Sequence, residues 1–147
     1  MKNSLKFLFV SVFLVLLSCS KNDDEPTITT TYKLTMKATA PTEGNTFFST
    51  ITYKKADGTT ATINNSSTSF LESFTISSGF NVLFNVSGTN KSTNQPNISI
   101  NYMIEKYENN VNKGMICYGS STSVSGSSGS WGFNSNNSTT FNGTSCQ

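Results

Sequence analysis

Ile28-Thr29-Thr30-Thr31-Tyr32-Lys33-Leu34-Thr35-Met36-Lys37-Ala38 alternates with period two. Ile28, Thr30, Tyr32, Leu34, Met36 and Ala38 fall on one face of an extended chain, and the residues between them on the other. A pleated strand sends successive side chains to opposite faces. The stretch therefore predicts a strand with one buried and one wet side. No 11-residue window shows helical spacing, and the same alternation recurs along the chain.

The strand Thr46 to Lys55 puts Phe47, Ile51 and Tyr53 inward, after a loop at Ala40-Pro41-Thr42-Glu43-Gly44-Asn45. Asp57-Gly58 is the clearest hairpin signal, because glycine takes the positive φ of a tight primed turn. The return strand, Thr59 to Asn64, carries Ala61 and Ile63 inward. Phe70, Phe74 and Ile76 repeat the pattern. After Ser77-Ser78-Gly79 come Phe80, Val82, Phe84 and Val86, then a polar loop from Ser87 to Pro96. Ile98, Ile100, Tyr102 and Ile104 line a further strand, joined through Asn109-Asn110 to one near Met115 to Gly119. Seven short alternating strands predict an all-β protein, an antiparallel β-sandwich or barrel. Ser120 to Gln147, rich in Ser, Gly and Asn, reads either as a disordered tail or as an ordered extension. Trp131 and Phe133 at period two favour the extension, with an edge strand around Ser130 to Asn134 tied down by Cys146.

Leu16-Leu17-Ser18-Cys19 closes an apolar run that follows Lys2 and Lys6. The run is short for a bilayer span, which needs about 20 apolar residues, and it ends as a cleaved secretory signal does. The order Leu-Leu-Ser-Cys resembles the lipobox of bacterial lipoproteins, which implies lipidation of Cys19 and a membrane anchor. An uncleaved anchor helix or a chance cysteine are the competing readings. The acidic run in Ser20-Lys21-Asn22-Asp23-Asp24-Glu25-Pro26 resembles the export signal of surface lipoproteins of Bacteroidota. It implies an outer-membrane protein facing outward; a plain spacer would leave it facing the periplasm. The expected organisation is a signal peptide over 1–18, a lipidated tether over 19–27, a sandwich over 28–119 and an extension over 120–147.

Signal removal takes Lys2 and Lys6 with it, leaving eight lysines against eight acids and no arginine. Such a domain has no electrostatic footprint for nucleic acid. Cys117 and Cys146 remain in a compartment that permits disulfides. A bridge between them is the preferred reading, a buried Cys117 with a dangling terminal thiol the other.

Three pieces between Tyr32 and Gly119 resemble MmpS-like domains, small immunoglobulin-like accessory proteins of membrane transport. They are Ile51-Thr52-Tyr53-Lys54-Lys55-Ala56-Asp57-Gly58, Phe70-Leu71-Glu72-Ser73-Phe74-Thr75-Ile76 and Ser78-Gly79-Phe80-Asn81-Val82-Leu83-Phe84. Phe70 stands where that family usually has tryptophan. Glu108-Asn109-Asn110-Val111-Asn112 replaces a shorter Asn-Gly hairpin, and the segment from Ser120 has no counterpart. The resemblance implies an immunoglobulin-like sandwich and an accessory or binding role, and it carries over no catalytic residue.

The chain has no histidine, which removes the usual general base and the commonest zinc ligand. Glu105 and Glu108 have opposite parity on a strand, so they do not read as a glycosidase pair. Asp57 belongs to its turn. Asp23, Asp24 and Glu25 read as a solvated run, with calcium the lesser alternative. No catalytic residue, metal site or cofactor is expected. Phe48, Leu71, Leu83, Met103 and Tyr107 fall opposite the inner rows and would mark a binding site if exposed together. Trp131, Phe133 and Tyr118 are candidates for stacking on sugars. The leading expectation is a non-enzymatic, lipid-anchored module for a membrane or cell-surface protein complex. A surface carbohydrate-binding module and a structural lipoprotein without a ligand are the rivals.

Overall fold

The alternation around Leu34 forms strand β1, Thr30–Thr39, whose inward Leu34, Met36 and Ala38 are fully buried. The structure is a computed structural model and describes residues 26–41, 47–66 and 68–147. The expected signal peptide, Cys19 and the Asp23-Asp24-Glu25 run lie outside the described residues. Eight further strands follow: β2 Phe47–Lys54, β3 Thr60–Ser66, β4 Ser69–Ile76, β5 Phe80–Asn90, β6 Ser99–Glu108, β7 Val111–Ser120, β8 Ser123–Ser127 and β9 Ser130–Phe141.

They build two antiparallel sheets, ordered β4-β1-β6-β7 and β3-β2-β5-β9-β8. The inner rows of the two sheets share one core, so the architecture is the expected antiparallel β-sandwich. Leu34, Met36, Ile100 and Ile104 come from the first sheet; Phe48, Ile51, Val82, Phe84, Val86 and Phe141 come from the second. The turns follow their chemistry. Asn109 and Asn110 take φ of 49° and 65°, as a two-residue primed hairpin requires, whereas Asp57-Gly58, expected as a tight primed turn, closes a longer loop in which the Gly58 N–H donates to the Lys55 carbonyl at 2.9 Å and only Gly58 takes a positive φ, 81°.

The strand count is nine rather than seven, because Ser120 to Gln147 is not an appendage. Strand β9 lies between β5 and β8 and pairs with β5 along its whole length, from Phe80↔Phe141 to Asn90↔Trp131. The expected boundary after Gly119 therefore cuts through a single core. Two middle inward positions of β9 are Ser135 and Asn137, which hid the alternation. Both are buried, and the Asn137 amide donates to Ser135 Oγ at 2.7 Å and to the Phe84 carbonyl at 3.4 Å. Such pairing is what makes a buried amide tolerable.

Other departures have local causes. Phe48, not Phe47, is in the core, because an extra β2 residue between Phe48 and Thr50 resets the parity. Ile63, an inward position by alternation, sits on edge strand β3 and stays exposed. Ile28 precedes β1 and is exposed. The loop expected from Ser87 begins only after Asn90. At Gly119 a Cβ would run into the Tyr102 ring, so this glycine is required by the close approach of β7 to that ring.

Register fixes which loops share an end of the sandwich. Thr30, the Asp57-Gly58 turn, Ser77–Gly79, Asn109-Asn110 and the C-terminal residues lie at one end. There Thr29 and Asn109 exchange two hydrogen bonds, of 2.9 and 3.0 Å. The opposite end carries the connections after β1, β5 and β8.

Candidate functional site

The outer face of the β4-β1-β6-β7 sheet brings several exposed apolar side chains together, while Phe47 and Ile63 are exposed singly on the five-stranded sheet. Register places Met103 opposite Tyr118 and beside Thr35, and Glu105 opposite Met115 and beside Lys33. Tyr107 stands opposite Asn112 in the next row. Tyr118 is 55% exposed and Met115 58%, while Met103 and Tyr107 are half-buried by their neighbours. Tyr118 and Met115 are three residues apart, which on a regular strand would send them to opposite faces. An extra residue on β7, Ile116, shifts the register and brings both outward. Ile116 itself packs against the core.

A polar cluster borders this surface. The Asn112 amide donates to Glu105 Oε1 at 2.8 Å and to the Tyr107 hydroxyl at 3.3 Å, and that hydroxyl donates to Glu105 Oε2 at 3.5 Å. Asn112 Oδ1 accepts the Gly114 N–H at 2.7 Å, which fixes the amide's orientation. Lys106 and Lys113 flank Glu108 at 2.6 and 3.7 Å. The hydrogen bond from Lys106 holds the Glu108 carboxyl below its usual range, and the same bond raises the Lys106 ammonium. The pair is half-exposed and screened by solvent, so it orders the hairpin end more than it stabilises the fold.

The aromatic candidates for sugar stacking are not brought together. Phe133 is 4% exposed and meets Phe48 edge-to-face, with ring centroids 5.8 Å apart. Trp131 lies at the far end of the other sheet, with its indole N–H donating to the Ser92 carbonyl at 3.0 Å. Only Tyr118 of the three is on an open face. Of the opposite-parity residues, Phe48 is core, Leu83 is half-buried on the five-stranded sheet, and Leu71 is exposed on edge strand β4. Met103 and Tyr107 do share a face, with Met115 added. Period two missed Met115 because the bulge is invisible to it.

Cys117 and Cys146 form a disulfide, with Cα atoms 5.8 Å apart. It ties β7 of one sheet to the chain that follows β9 of the other. Glu105 points to the outer face while Glu108 is engaged by lysines at the hairpin end, so the two carboxylates do not converge. Glu72 lies on the inward side of edge strand β4 and accepts from the Tyr53 hydroxyl at 3.5 Å. Burial, then the Glu72 charge, raises the Tyr53 phenol above its usual value. An inward-facing acid on an edge strand also disfavours sheet-to-sheet aggregation.

The outer face of the five-stranded sheet is chemically different. One row across it reads Asn64, Thr50, Ser87, Asn134, Ser123, and the next reads Thr62, Thr52, Asn85, Asn136. These are hydroxyls and amides only.

Comparison with protein-family models, curated proteins and solved structures finds no match in any of the three.

Proposed function

We propose that the chain is a non-enzymatic, lipid-anchored envelope protein that docks a protein partner through the outer face of its four-stranded sheet. The observation that carries this reading is the Met103–Tyr118–Met115 surface beside Tyr107. Tyrosine and methionine are enriched at interface cores, and methionine adapts its shape to a partner. The Glu105–Asn112 pair beside it supplies fixed polar groups for a rim. The anchoring part of the reading rests on Leu16-Leu17-Ser18-Cys19. The eleven residues from Cys19 to Thr29 would hold the sandwich within about 40 Å of the bilayer surface, at about 3.5 Å per extended residue. The motifs resembling MmpS-like domains agree with an accessory role, and the acidic run after Cys19 favours the outer face of the outer membrane over the periplasmic side.

A photo-crosslinking residue at position 118, compared with one at Asn136 on the opposite outer face, tests the docking surface in intact cells. A discrete protein adduct is expected from position 118 alone, and Met115→Asp should abolish it. Equal labelling from both positions, or an adduct indifferent to Met115→Asp, would remove the surface from the proposal. Labelling with a radioactive fatty acid, lost in Cys19→Ala, tests the anchor separately.

A further inference from the structure

The end of the sandwich opposite Thr30 holds a cavity of about 200 Å³ that the docking surface does not touch. Its wall is the end of β5 and the loop after it, with Asn90, Ser92, Asn94, Gln95 and Asn97 supplying polar groups and Pro96 an apolar one, joined by Pro41 from the segment after β1. Asn90, at 1% exposure, and the buried Pro96 form its inner part, whereas Asn94, Gln95 and Asn97 reach solvent.

The loop is held in shape. Ser92 is its fixed point, because its carbonyl accepts the Trp131 indole N–H at 3.0 Å and the Gly129 N–H at 2.7 Å. Its hydroxyl accepts the Asn94 N–H at 3.3 Å, which bends the chain at the rim. The adjoining Pro96 has a restricted φ. A shaped loop of this kind loses little entropy on binding.

The lining chemistry selects a ligand class. The carboxamides of Asn94, Gln95 and Asn97 offer both donors and acceptors, and none of the described lining side chains ionises. An anion would find no positive charge on these residues, and a cation no carboxylate. A neutral molecule with many hydroxyls matches donors and acceptors together, and its C–H faces match the two prolines. The cavity has the volume of about seven water molecules, the scale of one sugar ring. We infer that this cavity is a binding site for a single neutral sugar unit, held by the carboxamides of Asn94, Gln95 and Asn97. This goes beyond protein docking and stands without it. With a lipid on Cys19, the site would face away from the membrane, because Thr30 is at the other end.

The chain contains a single tryptophan, and it is bonded to the loop in question. The experiment is an NMR titration of the full chain in detergent, reading the one indole N–H signal against glucose, galactose, mannose and N-acetylglucosamine. At least one sugar should give a saturable shift with a Kd in the millimolar range. Asn97→Ala and Gln95→Ala should each weaken it about tenfold, and Tyr118→Ala should leave it unchanged. Kd should be the same at pH 5 and pH 8. No saturable shift from any of the four at about 50 mM, or a shift indifferent to both amide variants, overturns the inference. A larger response to acetate or phosphate than to sugar also overturns it, since the site would then be selecting charge. Loss of crosslinking at position 118 with sugar binding intact would overturn the docking proposal alone.

Discussion

Replacing Phe133 by alanine tests whether the C-terminal 28 residues are part of the core. The ring is 4% exposed, lies edge-to-face on Phe48 and occupies the space above Gly88, where a Cβ would collide with it. An aromatic side chain buries about 150–250 Å². At about 25 cal/mol per Å² this is worth about 4–6 kcal/mol, an upper bound because denatured chains already bury some surface. Alanine keeps a small part of that, and the residual cavity adds to the loss, so the expected cost is about 3–5 kcal/mol. Against a typical domain stability of about 5–15 kcal/mol, such a loss is a large fraction. With a urea m-value of about 2 kcal/mol/M, the midpoint should fall by about 2 M. The assay is urea unfolding followed by far-UV circular dichroism with the disulfide intact. Asn134→Ala serves as the comparison, because its side chain is exposed on the next residue and should shift stability by less than about 0.5 kcal/mol. If Phe133→Ala shifts the midpoint no more than Asn134→Ala, strand β9 is not part of the cooperative unit, and the nine-strand sandwich is refuted.

Gly119→Ala should cost about 1–3 kcal/mol, since a Cβ there overlaps the Tyr102 ring, and most of that cost should vanish in a Tyr102→Leu background; a double-mutant cycle with no coupling would contradict the packing. Changing both Cys117 and Cys146 to serine opens a loop of about 30 residues and should remove about 3–4 kcal/mol in the chain-entropy model, read from urea unfolding of the oxidised protein and the variant. The Asp57 carboxyl is held below its usual value, first by the Thr59 hydroxyl at 2.6 Å and then by the Thr59 N–H at 2.9 Å. Its folded-state pKa is lower than its unfolded one, so its contribution is present above the unfolded value and is lost as pH falls through the folded value. The urea midpoint should therefore fall less steeply below about pH 4 in Asp57→Asn than in the wild type, and parallel curves would show that the turn contributes nothing.

Alternation was legible wherever apolar residues marked every inward position, as in Leu34-Met36-Ala38 and Val82-Phe84-Val86. It failed for two physical reasons. In β9 the inward row runs Phe133, Ser135, Asn137, Thr139, Phe141, and the buried amide is satisfied by a serine two residues away and by a carbonyl of β5. Hydropathy counts such residues as exposed, because it does not see the partner. In β2 and β7 an inserted residue changes parity mid-strand, so Phe48 moves inward and Met115 moves outward. The candidate surface was legible in Met103, Tyr107 and Tyr118 separately. The Asn109-Asn110 turn announced the pairing of β6 with β7, but the register that puts Tyr118 opposite Met103 depends on two irregularities in that pairing, which no local pattern specifies. The sugar cavity was hidden in what reads as a featureless polar loop, because its shape comes from the contact between Ser92 and Trp131, 39 residues apart.

The contrast between the two outer faces carries the functional argument furthest. Both faces belong to antiparallel sheets whose other side is core, so the fold asks the same of each: strand-compatible side chains that remain soluble. The five-stranded sheet meets this with threonine, serine and asparagine in its middle rows, and Thr52 and Thr62 lie 3.3 Å apart between their hydroxyls. The four-stranded sheet begins the same way, with Thr35 bonded to Ser73 at 3.0 Å, and then changes to Met103 and Tyr118 in the same row. Solubility does not favour that change, and packing does not require it, because Tyr118 and Met115 remain more than half exposed. The extra residue Ile116 distorts β7, and its consequence is that these two side chains share a face. Exposed apolar groups gathered at a local distortion of the strand are accounted for by a second surface that covers them. This is why the docking proposal is placed on the outer face of the β6–β7 pair and not on the larger, more regular sheet behind it.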